Sequence, residues 1–151
     1  LLVEAVLASD ACDVRGAFAR LKALKAFSER LDFVQTAMTF KRVANIVRKQ
    51  EQDEGVAFDG TYDDALLAED AEKALAEAVA LFARESDSLW EQGRYEEILG
   101  KAGALRPFVD AFFDSVMVMV ENAALRKNRL ELLAAILKRM ERLADFTALQ
   151  M

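Results

Sequence analysis

A chain of 151 residues, 54% apolar and 30% charged, holds enough material for one globular domain with a hydrophobic core and has little of the composition that favours disorder. Twenty Lys and Arg against 26 Asp and Glu leave a net charge of −6, which excludes a uniformly basic nucleic-acid wrapper. Histidine is absent and Cys12 is the one cysteine. Ser-His-Asp and Cys-His catalysis, His-containing and four-cysteine metal sites and an intrachain disulfide are therefore excluded.

One proline and six glycines favour long helices. Residues 13–30 place Val14, Ala17, Phe18, Leu21, Leu24 and Ala26 mostly at steps of three and four, the spacing of a half-buried helix. Residues 32–50 do the same with Phe33, Ala37, Phe40, Ala44 and Val47. A third helix is expected over about 63–92, with Leu75, Val79 and Phe82 inward, and a short fourth over about 94–102. Pro107 suits the first turn of a fifth helix, expected to run through Val120. Apolar nearly all round, from Phe112 and Phe113 to Met117 and Met119, that helix reads as the central element, with both methionines in the core. The last helix, about 123–143, turns Leu133, Ile136, Met140 and Leu143 inward behind Asn122 as N-cap. No strand-like alternation of useful length is expected, so the fold class is all-α, a helical bundle forming a single domain over 1–151.

The longest apolar runs, 78–83 and 132–137, are six residues, against the roughly 20 that span a bilayer. No membrane association is expected, and a single cysteine fits a reducing cytoplasm. The chain opens Leu-Leu-Val with neither Met nor a signal segment, and reads as a soluble piece of a longer protein. Charge is uneven: residues 1–50 carry +4, residues 51–100 carry −12 and residues 101–151 carry +2. Residues 50–62, with Glu51, Asp53, Glu54 and Asp59 and the glycines Gly55 and Gly60, are expected as a mobile acidic loop; the alternating ligand order of a calcium loop is missing.

Several signals read as structure. Trp90, Gly93, Tyr95 and Glu97 have the form of a helical-repeat turn, but no second copy follows at about 34 residues. No glycine-rich phosphate loop is present. Two clusters carry more. On residues 41–49, Lys41, Arg42, Asn45, Arg48 and Lys49 fall within roughly 120° of helical arc at ~100° per residue, clear of the apolar stripe. Four cations and an amide can grip a phosphate backbone and read a base edge; the plain alternative is a solvated helix face. In the second cluster Arg106, Asp110 and Asp114 stack at steps of four on a greasy helix. Carboxylates buried there need partners, for which Arg126 and Arg129 are candidates. The expected result is a structural ion-pair network of Arg106, Asp110, Asp114 and Arg129 that fixes helix register.

The run Leu105-Arg106-Pro107, Val109-Asp110-Ala111-Phe112-Phe113-Asp114 and Val116-Met117-Val118-Met119 resembles the C-terminal region of the bacterial glycyl-tRNA synthetase β subunit. So do Leu125-Arg126-Lys127-Asn128-Arg129-Leu130, the ending Ala144-Asp145-Phe146-Thr147-Ala148-Leu149-Gln150 and, upstream, Lys41-Arg42-Val43-Ala44-Asn45-Ile46. The resemblance spans essentially the whole chain and implies the all-helical anticodon-binding domain named for an Asp-Ala-Leu-Arg motif. Here that stretch is Ala123-Ala124-Leu125-Arg126, so the first Asp is replaced and the cap passes to Asn122.

The resemblance further implies an α2β2 glycine–tRNA ligase in which the α subunit forms glycyl-adenylate with ATP and Mg²⁺ while β holds tRNA-Gly. This chain would then be non-catalytic, with no cofactor of its own. It would bind the anticodon stem and loop through Lys41, Arg42, Asn45, Arg48, Lys49, Arg126 and Arg129. A helical module that docks on a partner subunit through an exposed apolar strip is the alternative.

Overall fold

The computed structural model describes residues 14–29 and 33–142. Cys12, Leu143 and the segment 144–150 lie outside the described residues, as do the side chains of Val14, Ala17 and Phe33. Six α-helices form among the described residues: α1 Val14–Ser28, α2 Phe33–Glu54, α3 Asp70–Glu91, α4 Tyr95–Gly103, α5 Arg106–Ser115 and α6 Ala123–Glu141, with one 3₁₀ turn at Asp64–Leu66. No strand is present among them. The all-α fold class follows.

The helix ends obey local chemistry. Asn122 Oδ1 accepts from the N–H groups of Ala124 and Leu125 at 3.0 and 3.2 Å, capping α6 as its sequence position suggests. Asp70 and Glu72 put negative charge on the first turn of α3, and Glu72 Oε1 reaches back to the Glu69 N–H at 3.2 Å. Gly93, at φ +68°, ends α3 with its own N–H on the Trp90 carbonyl and the next N–H on that of Leu89. Trp90 and Tyr95 then pack edge to face at 5.1 Å across that turn. Pro107 occupies the first turn of α5, where its missing N–H costs nothing.

The centre of the bundle is α6, not the fifth helix. Leu130, Leu132, Leu133, Ala134 and Ile136 are completely buried, and α6 packs against both α2 and α3. At ~1.5–3 kcal/mol for each large buried side chain, this one stretch is a major part of the core's stabilisation. Helix α2 buries Ala37, Phe40, Ala44 and Val47, the stripe expected from spacing, and α3 buries Leu75, Val79 and Phe82 on its own inner stripe. Further out, α1 packs on α4, and Arg20 Nη1 donates to the last α6 carbonyl region at Arg142 O, 2.7 Å away.

Three expectations are corrected. The fifth helix stops at Ser115; Val116 is extended (φ −116°, ψ 128°), and beyond it burial alternates. Val116 and Val118 are buried while Met117 and Met119 are 70% and 49% exposed, so neither methionine is core. A burial period of two replaces the helical period here, and the chain bends at Val118 and Met119. On α1, Phe18 faces solvent, and Ala23 and Leu24 take the core positions. Residues 50–62 are loop only in part. Helix α2 continues through Glu54, and the segment after it is pinned. Phe58 is fully buried, its N–H donates to Glu51 Oε2 at 3.0 Å, and Glu131 Oε2 accepts from the N–H groups of Gly60 and Thr61.

Candidate nucleic-acid interface

Helix α2 faces two ways. Its buried arc carries Phe40, Val43, Ala44 and Val47, while Arg42, Asn45 and Lys49 stand exposed at steps of three and four on the opposite arc. Lys41 and Arg48 flank this strip, both half-buried. Arg48 is engaged by the bundle at its surface, donating to the half-buried Glu141 Oε1 at 2.9 Å. The expected five-residue cluster is thus one helix face, with Arg42, Asn45 and Lys49 its most accessible part.

Arg42 has a support invisible in the sequence. Its guanidinium carbon lies over the ring of Phe113, on α5, 4.0 Å from the centroid. Phe113 in turn meets the fully buried Phe112 edge to face at 5.7 Å. Among the described residues no carboxylate pairs with Arg42. The nearby Asp110 accepts instead from Thr39 Oγ1 at 3.1 Å. Phe113 was not a candidate on spacing, because the contact joins residues 71 positions apart in sequence.

Arg126 and Arg129 behave differently from each other. Arg126 is partly exposed at the start of α6; its Nη1 donates to the Val120 carbonyl at 3.1 Å and its Nε stands 3.5 Å from Glu54. It lines an open groove of about 870 Å³ with Glu54, Phe58, Asp59, Lys127 and Glu131. Two carboxyls of this groove shift in opposite directions. Burial, reinforced by a hydrogen bond to Asp59, raises Glu131 above its ordinary value. The Thr61 N–H and that same bond hold Asp59 low.

Arg129 is 4% exposed and presents no surface for RNA. The structure also corrects its place in the ion-pair network. Its Nη2 pairs with the fully buried Glu72 of α3 at 2.8 Å, and its Nη1 donates to the Met117 carbonyl at 2.5 Å. Because α5 ends at Ser115, the chain that reaches Arg129 is the extended segment after it, not the carboxylates of the helix. Asp110 faces Thr39 with Arg106 at a loose 3.8 Å, its side chain half exposed, and Asp114 is exposed. The register-fixing pair is Glu72–Arg129.

The bundle buries its apolar stripes and turns Arg42, Asn45 and Lys49 outward on one face of α2, the class of an all-helical domain with a basic helix face. The model of the DALR anticodon binding domain matches residues 36–150, and the chain belongs to that family. It is also similar to the glycine–tRNA ligase beta subunits. Over 151 residues, all of this chain, it is 56% identical to that of Nitratidesulfovibrio vulgaris strain Hildenborough and 52% to that of Oleidesulfovibrio alaskensis. It is 41% identical to that of Vibrio cholerae over 149 residues, 99% of the chain. The chain spans only 21–22% of the length of these relatives. The resemblance carried by the Arg106–Asp114 region, the basic helix and the final helix is therefore borne out. No helix among the described residues is long and apolar enough to cross a membrane.

Proposed function

We propose that this chain holds the anticodon stem and loop of tRNA-Gly for a glycine–tRNA ligase, as the tRNA-binding part of a β subunit in an α2β2 assembly. The observation that carries the reading is the exposed Arg42–Asn45–Lys49 strip on a helix of a bundle belonging to an anticodon-binding family. Cations engage phosphates, and an amide beside them can read a base edge in a splayed loop. Lys41, Arg48 and Arg126 flank the contact. Arg129 serves it from inside by fixing the 116–122 segment. Glycyl-adenylate formation, with ATP and Mg²⁺, falls in this reading to the α subunit in the cytoplasm. Among the described residues no three His, Cys, Asp or Glu side chains gather to hold a metal, and neither group is assigned a residue of this chain.

The test is tRNA-Gly binding across a salt series, with Arg42→Glu and Lys49→Glu together. Affinity should fall most at low salt, where phosphate attraction is least screened, with helicity unchanged. A folded double variant that binds as wild type does sinks the reading. The exposed Met117 and Met119 favour one second reading, a docking module for a partner subunit. In that case charge reversal on α2 leaves RNA affinity intact and Met117→Ser weakens subunit association.

A further inference from the structure

We propose that the guanidinium of Arg42 is a stacking platform for one unpaired nucleobase, backed by the Phe113 ring. The proposal rests on the RNA-binding reading above and names what that strip takes: a single-stranded nucleotide with its base turned out. A guanidinium has two faces. One face of Arg42 lies over Phe113, 4.0 Å from the ring centroid, and the side chain is otherwise exposed. A planar cation held against an aromatic ring gives up less freedom on stacking a base than a solvated one does. The backing is rigid because Phe113 itself is braced edge to face on Phe112, which is completely buried.

The neighbours fit a nucleotide. Asn45, one turn along α2 and exposed, brings an amide that can both donate and accept beside the base edge. Lys49, one further turn along the same arc, supplies the point charge for a phosphate. Asp110, the carboxylate one turn before Phe113, accepts from Thr39 Oγ1 and stands near Arg106, so it does not compete for Arg42. Stacking of this sort tolerates any base, and the amide then discriminates among them.

The experiment uses the full chain and an RNA hairpin of the anticodon arm carrying 2-aminopurine at one loop position at a time. Wild type should change the fluorescence strongly at one position. Arg42→Lys keeps the charge and loses the plane; it should abolish that signal and weaken binding about 10-fold, with the salt slope unchanged. Phe113→Leu should act in the same direction, and Phe113→Tyr, which restores a ring, should recover both signals. Lys49→Gln should show the converse: the fluorescence change kept, the salt slope reduced by about 0.7–0.9. If Arg42→Lys binds and reports as wild type does, the platform is wrong and Arg42 is a phosphate contact, with the RNA reading intact. If wild type binds no RNA at any salt concentration, the functional reading fails and takes the platform with it.

Discussion

The Glu72–Arg129 pair allows the sharpest test of how this bundle is held. Both groups lie within the core, at 0% and 5% side-chain exposure, with 2.8 Å between Oε1 and Nη2. Glu72→Ala leaves the guanidinium with the Met117 carbonyl as its remaining hydrogen-bond partner, since Arg129 Nε already lacks one. Stranding a buried charge costs about 3–5 kcal/mol, a large part of the ~5–15 kcal/mol that holds a domain together. At roughly 2–4 °C per kcal/mol for a chain of this size, melting should fall by about 6–20 °C. Arg129→Ala strands the carboxylate and also frees the Met117 carbonyl, so it should cost at least as much. Because both singles lose the same interaction, the double variant should lose less than their sum, by about 2 kcal/mol. Replacing the pair with Leu and Met should recover most of the loss, since an apolar pair carries no desolvation penalty. Urea denaturation followed by far-ultraviolet dichroism measures all four. Two independent losses that add to within ~0.5 kcal/mol, or singles costing under ~1 kcal/mol as exposed pairs do, would refute the reasoning.

Asp110→Ala should cost under ~1 kcal/mol in the same assay, because its pair with Arg106 is long and half exposed; a loss near that of Glu72→Ala would contradict this. Gly60→Ala should be far worse than Gly93→Ala. Both glycines have positive φ, but a Cβ at Gly60 would sit 2.9 Å from the Ala135 Cα, while at Gly93 it meets nothing within 4 Å. Strain of ~1–2 kcal/mol applies to both, and a clash of ~1–3 kcal/mol to Gly60 alone; equal melting points would count against the packing of residues 55–61 on α6. The pH profile has a definite sign. Glu131 is raised from 4.5, so in that window the folded state holds the extra proton, and its contribution to stability declines as pH rises through the raised value. Asp59 is lowered from 3.8, so its stabilisation is present above that value and lost as pH falls through the folded one. Glu131→Gln should therefore remove the decline on the way to neutrality while keeping an acceptor for the Gly60 and Thr61 N–H groups; an unchanged profile rules out Glu131 as its source.

Much of the fold is legible in the sequence because its signals are local. Steps of three and four place α2 and the inner stripe of α3, and Asn122, Pro107 and Gly93 mark ends by chemistry that acts within four residues. What escapes is set by contacts across the chain. Phe58 looks like one aromatic in an acidic loop until Glu131, on α6, is seen to accept from the backbone beside it. Arg129 has carboxylates at suitable intervals on α5, yet its partner is Glu72, 57 residues away. The segment 116–120 is a different failure. Its strict alternation of Val and Met carried a period of two, and the surrounding phenylalanines masked it as a helix. The basic face of α2 was visible as an arc, but only packing shows that Arg48 is spent on Glu141 and that Arg42 rests on an aromatic ring.

A negative total charge is compatible with the proposed RNA-binding face because charge acts locally. The acidic third of the chain builds α3 and α4, whose exposed side chains include Glu77, Asp87, Glu91, Glu96 and Glu97. Helices α2 and α3 both pack against α5 and α6. The Debye length at physiological salt is only about 8 Å. A phosphate beside Lys49 would therefore respond first to the charges of its own helix face, Arg42 and Lys49 together with the exposed Asp53 one turn on, and less to carboxylates more than that length away. At longer range, and at lower salt, the same carboxylates would repel an RNA approaching α3 and α4. On the proposed RNA-binding reading, the asymmetry that makes the net charge negative should orient the encounter, and neutralising Glu91, Glu96 and Glu97 should speed non-productive contacts without strengthening the productive one.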